Sequence, residues 1–214
     1  MIYLSDDAKQ IRRLDGLLWL QGYACASMTQ RDMNQAYALA IEFGHTAAEK
    51  NPLPTASTPQ EFDSQLLAHG IRAVNTFSQS GESGRFAHAY YNEQTQAIAY
   101  DETFAAEILN VSRGHLPWTA EDVRQALLLH EFFHHLEIMN IGLTYEFIQS
   151  RTGRRMPKAS RTLWRDIAAF SFVHEQRPSM YCQALDLCWL KQHAPERYAV
   201  LAPDIQRILP QWDI

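Results

Sequence analysis

Residues 130–134 read His-Glu-Phe-Phe-His, and they lie inside the most apolar stretch of the chain that is long enough to be a helix. An α-helix turns about 100° per residue, so His130 and His134 stand about 40° past one full turn from each other and project from one face. Residues 126–139 are apolar on nearly every side, which describes a helix enclosed by other elements rather than one lying on a surface. Imidazoles and carboxylates are rarely enclosed unless they answer each other or a cation. Any fold that buries this helix must therefore wrap a polar centre. The H-E-x-x-H spacing is that of two metal-ligating histidines with Glu131 beside them as general base for a metal-activated water. It predicts one zinc ion per chain and a hydrolytic reaction.

Catalytic zinc usually takes three protein ligands and keeps a fourth position for water, so two histidines leave one ligand to find. The glycine and third histidine that a metzincin places just downstream are missing, which excludes that class. Glu137 shares the helical face of His130 and His134, but ligands from three successive turns of one straight helix converge poorly on a tetrahedral ion. Glu146 and Glu175 are further carboxylates downstream.

Start and stop signals divide the rest of the chain. A helix is expected at residues 14–20, and Thr29 with Asp32 caps a helix running to about Lys50. Thr58, Pro59 and Glu61 open another, predicted to reach about Phe77. Gly and Ser at residues 79–84 make a connection, followed by two aromatic-rich strands, 86–91 and 96–100, that read as an antiparallel hairpin. A short helix is expected at 101–111, and Thr119 with Asp122 caps the motif helix, which Gly142 ends. Residues 153–160 form a basic loop, and helices resume at about 161–175, 179–193 and 203–209. The predicted fold is mostly helical α+β, a small antiparallel sheet beside a buried H-E-x-x-H helix. A single domain over 1–214 is expected, with a helical part at 1–80, a metal-binding core at 85–178 and C-terminal helices at 179–214.

Composition narrows the functional classes. A formal charge of −5 without basic runs gives no electrostatic reason to expect nucleic acid or an anionic membrane as partner. The first residues lack the basic and apolar regions of a secretory signal, and residues 17–20 are too short an apolar run for a membrane span, so a cytoplasmic location is expected. Cys25, Cys182 and Cys188 form no C-x-x-C pair, and Cys182 and Cys188 read as small core residues.

The segment 166–173, Asp-Ile-Ala-Ala-Phe-Ser-Phe-Val, resembles the second signature of the ImmA/IrrE-like peptidases, in which an acidic residue is followed by small residues and then Phe. The resemblance covers about residues 86–178. It implies a zincin-like fold in which His130, His134 and Asp166 bind the metal, Glu131 is the base and the substrate is a peptide or protein. Zincin peptidases place strands beside the metal helix, where an edge strand can pair with an extended peptide. This chain departs from the family in having Asp166 where glutamate is usual and Phe133 where a small residue is common. The shorter carboxylate requires a closer approach of the second helix. Tyr145, His135, His174 and Arg165 are candidate oxyanion donors. The alternative to a hydrolase is a non-catalytic metal-binding protein, structural or sensing, on the same scaffold.

Overall fold

The computed structural model describes residues 12–13, 15–16, 28–75, 89–112 and 116–208. The expected Gly/Ser connection and Cys25 lie outside these residues, as does most of the expected first helix, of which Asp15 and Gly16 are helical. Eight helices and three strands follow in the order α1 (Gln30–Lys50), α2 (Pro59–Ala68), β1 (Arg72–Asn75), β2 (Ala89–Asn92), β3 (Ala97–Tyr100), α3 (Glu102–Val111), α4 (Ala120–Leu136), α5 (Thr144–Thr152), α6 (Arg161–Gln176), α7 (Cys182–His193) and α8 (Pro195–Ile208). Local chemistry starts the helices where the sequence predicts. Thr29 accepts from the Asp32 amide, Thr58 from the Glu61 amide, and Thr119 and Asp122 form a reciprocal capping box.

The architecture is α+β, mostly helical, and two expectations need correction. First, α2 stops at Ala68 rather than continuing to Phe77. Gly70 adopts φ +78°, a left-handed turn that glycine makes without penalty, and the chain leaves it as strand β1. Second, the sheet is mixed rather than antiparallel. Its order is β1-β3-β2, with β1 parallel to β3 and β2 antiparallel to β3 in the register Tyr91 opposite Ile98. The part at 1–80 is accordingly not purely helical. A smaller difference is that the last helix begins at Pro195, at its first position, and carries Pro203 inside it.

Four layers position the site. The sheet packs on α4, α4 on α6, and α6 on α1. Because α4 is covered by the sheet on one side and by α6 on the other, its buried positions run almost continuously from Val123 to Leu136. The α1–α6 crossing is unusually close. A Cβ at Gly44 would lie 2.1 Å from the carbonyl oxygen of Ala168, two residues beyond Asp166. Phe133 fills the space between these helices, its ring 5.6 Å from Phe172 on α6 and 6.2 Å from Phe43 on α1. Cys182 and Cys188 are buried core residues, as expected.

Asp15 is 1% exposed and accepts from the Tyr37 hydroxyl at 2.7 Å and the Gln183 amide at 2.6 Å. Burial raises its pKa from 3.8 to about 6, against the pull of those two hydrogen bonds. The native state therefore holds this proton more tightly than the unfolded chain does. The stabilisation from protonated Asp15 is complete below about pH 4 and lost as pH rises towards 6. In urea unfolding, the wild type should lose about 3 kcal/mol more stability between pH 4 and pH 7 than Asp15→Asn does. An unchanged pH slope in that variant would contradict the assignment.

Candidate metal centre

Helix α4 turns His130 and His134 towards α6, and the residues between them set that rotation. Phe132 and Phe133 lie 5.9 and 5.6 Å, ring to ring, from Phe172, so the aromatic positions lock the helix while the histidines face Asp166. The two Nε2 atoms are 3.2 Å apart. Asp166 Oδ1 stands 4.0 Å from Nε2 of His130 and 3.7 Å from Nε2 of His134. The point equidistant from these three atoms is about 2.1 Å from each, the length of a zinc–nitrogen or zinc–oxygen bond. The donor set thus fits a divalent cation, and His130, His134 and Asp166 are a buried group that could hold one. The close α1–α6 and α4–α6 packing brings the shorter aspartate within range.

Glu137 is buried, 1% exposed, and it serves the other nitrogen of His134 rather than joining the three ligand atoms. Its Oε2 accepts from His134 Nδ1 at 2.7 Å and from Arg165 Nε at 2.9 Å, while Oε1 accepts from the Thr144 amide at 2.9 Å and hydroxyl at 2.6 Å. A π-helical turn over Glu137–Ile141 and Gly142 at φ +80° bring Thr144 back to this carboxylate. A proton fixed on Nδ1 leaves the Nε2 lone pair of His134 for a metal. Burial works to raise the pKa of Glu137, but His134, Arg165 and Thr144 outweigh it and keep it ionised. For His134, burial works downward, and the Glu137 hydrogen bond with the surrounding carboxylates prevails to raise its pKa. His130 is held well below the ordinary range by burial and by the neighbouring His134 and Arg165 charges, so it stays neutral, the form that ligates.

Glu131 is 7% exposed, and its Oε2 accepts from the Tyr91 amide of β2 at 2.9 Å. Burial pushes its pKa to about 7, against the lowering effect of His134 and of the Tyr91 hydrogen bond. A carboxylate poised there can both take and return a proton at neutral pH.

The other sequence candidates lie elsewhere. Glu146 is exposed on α5, and Glu175 pairs with His45 at 2.9 Å. His135 packs its ring on Tyr91 at 5.0 Å, His174 sits on Tyr181 at 5.0 Å, and Tyr145 lies under Arg161 at 4.6 Å. Of the four suggested oxyanion donors, Arg165 reaches the ligand cluster, donating to Glu137 at 2.9 Å and standing 3.5 Å from Nδ1 of His134. Sequence reasoning missed the roles of Glu137 and of the Tyr91 amide. The three-residue step from His134 to Glu137 was a usable signal for the first; nothing local marks the second.

Glu137→Gln should weaken metal binding by about 10- to 100-fold, because the amide orients His134 less firmly and carries no charge. Competition with a chromogenic chelator would measure it, with circular dichroism confirming the fold. Unchanged affinity would mean that Glu137 braces the Thr144 turn alone.

Searches of family models, curated proteins and solved structures find no match to this chain.

Proposed function

We propose that this protein is a zinc-dependent hydrolase of peptide or amide bonds, with a zincin-like core similar to that of ImmA/IrrE-like peptidases. The observation that carries this reading is the convergence of His130, His134 and Asp166 on one point with the buried carboxylate of Glu131 alongside. A buried carboxylate beside three possible metal ligands, with its pKa lifted to about 7, suits a general base at neutral pH.

A zinc ion bound by His130, His134 and Asp166 would supply Lewis acidity to a water molecule and to the substrate carbonyl. Glu131 takes the proton of the attacking water, at Oε1 while Tyr91 engages Oε2, and returns it to the departing nitrogen. Glu137 keeps His134 in the ligating tautomer, and Arg165 balances the Glu137 charge. Strand β2 is one of the two edge strands of the sheet among the described residues, and its Tyr91 amide donates to Glu131 rather than to a neighbouring strand. An extended peptide laid along β2 would therefore arrive beside the base, which favours a peptide or protein substrate. Among the described residues no helix is long and apolar enough to cross a membrane.

Metal content of the purified protein tests the reading. Elemental analysis should find about one zinc per chain in the wild type and almost none in His134→Ala or Asp166→Ala prepared without added metal. A wild type that takes up no zinc when it is supplied would end the hydrolase assignment. A metal that persists in Asp166→Ala would remove Asp166 from the ligand set.

A further inference from the structure

Arg161 and Arg165 stand one helical turn apart on α6, so they leave the same side of the helix with their Cβ atoms about 6 Å from each other. Lys158, exposed in the 3₁₀ turn that precedes α6, adds a third cation just before them. Like charges on successive turns repel, and within the chain little offsets the repulsion. Among the described residues the one carboxylate in ion-pair contact with either arginine is Glu137.

Glu137 is already fully engaged. Its oxygens accept from His134, from Arg165 Nε and from the amide and hydroxyl of Thr144, which fills the about four acceptor positions of a carboxylate. A terminal nitrogen of Arg165 also stands 3.5 Å from Nδ1 of His134, but that atom holds the proton given to Glu137 and offers no lone pair. The terminal N–H groups of Arg165 are thus left without an acceptor among the described residues. Arg161 is in a similar position. Its guanidinium lies 4.6 Å over the Tyr145 ring, and its buried Nε has no acceptor among the described residues. Stacking fixes the plane of a guanidinium and leaves its edge of paired N–H donors, the shape that matches a carboxylate, free to bind one.

These donors border the metal centre. One imidazole ring separates Arg165 from the metal position, because Nδ1 of His134 faces the guanidinium while Nε2 faces His130 and Asp166. His134, Arg161, Arg165 and Asp166 are each partly open to solvent, so a ligand can approach them. We propose that Arg161 and Arg165 form a carboxylate-binding subsite beside the metal centre, which selects substrates carrying an acidic side chain or a free C-terminus close to the scissile bond. That the carboxylate belongs to a substrate rests on the hydrolase reading; that the two arginines bind a carboxylate does not.

The test titrates three probes into the metal-free protein while the Nε–H resonances of Arg161 and Arg165 are followed: N-acetylglutamate N-methylamide, its neutral counterpart N-acetylglutamine N-methylamide, and N-acetylalanine. The expected result is saturable binding of a carboxylate probe about tenfold tighter than that of the neutral amide. Tighter binding of the glutamate derivative assigns the subsite to an acidic side chain, and tighter binding of N-acetylalanine assigns it to a chain end. Arg161→Gln should abolish the preference while zinc uptake stays at the wild-type level. Arg161→Lys keeps the charge but lacks the paired donors, so it should lose most of the preference and decides the matter should Arg161→Gln fail to fold. Arg155→Gln, exposed in the basic loop, should keep it. Equal affinity for acid and amide, no binding, full preference in either Arg161 variant, or the same loss in Arg155→Gln would overturn the subsite. Carboxylate binding without any peptide cleavage by the zinc-loaded protein would sink the hydrolase reading alone, and cleavage without carboxylate binding would sink the subsite alone.

Discussion

Glu131→Gln is expected to lower peptide hydrolysis by the zinc-loaded protein on the order of a thousandfold while the zinc content stays at the wild-type level. Glutamine is nearly isosteric and can still accept from the Tyr91 amide, so the contact between α4 and β2 survives. What it cannot do is take a proton from water and hand it to a leaving nitrogen. The two readouts separate the base from the ligands, because His134→Ala and Asp166→Ala should lose activity and metal together. A variant with wild-type turnover would place the base elsewhere. Should the wild type bind zinc and cleave nothing in a peptide library under conditions where it is folded, the site belongs to a metal-binding protein without catalysis.

Gly44→Ala should be strongly damaging although it lies outside the site. A methyl group at this position would meet the Ala168 carbonyl oxygen at 2.1 Å, with Ala168 C and Ser171 Cβ both at 3.0 Å. Two of these atoms are α6 backbone, so a side-chain rotation cannot relieve the clash and the helices must move apart. Overpacking of this kind costs about 3 kcal/mol, and the better helix propensity of alanine returns about 1 kcal/mol. The net loss of about 2 kcal/mol corresponds to a melting temperature lowered by about 6 °C in a chain of this length. The effect should also reach the metal centre. Asp166 lies on the same α6 turn as Ala168, and its oxygen is already at 3.7 and 4.0 Å from the histidine nitrogens. Any rearrangement of α6 displaces a carboxylate one methylene shorter than glutamate, so zinc affinity should fall along with stability. Thermal unfolding and chelator competition on the same preparation would check both; wild-type stability would show that the crossing relaxes without cost.

The contrast between these two substitutions marks where sequence reasoning ends. His130, Glu131 and His134 are legible because helical periodicity is local: once residues 120–136 are a helix, the shared face of the two histidines follows. The caps at Thr29, Thr58 and Thr119 are legible for the same reason, each depending on a side chain and an amide three residues away. Strand β1 escaped because its partner is the distant β3, and a parallel pairing leaves no periodic trace in four residues. Glu137 presented the same helical face as a ligand would, and only the return of Thr144 and the approach of Arg165 turned its carboxylate to the Nδ1 side of His134.

The sequence by itself determined the helix at residues 120–136, the shared face of its two histidines and the place of Glu131 beside them, because these depend on the covalent order of one helix. Only the tertiary structure decided that Asp166 stands with the two histidines and that Glu137 and the Tyr91 amide hold His134 and Glu131. Those features depend on the distances between helices, set by contacts such as Gly44 on Ala168 that no stretch of sequence contains.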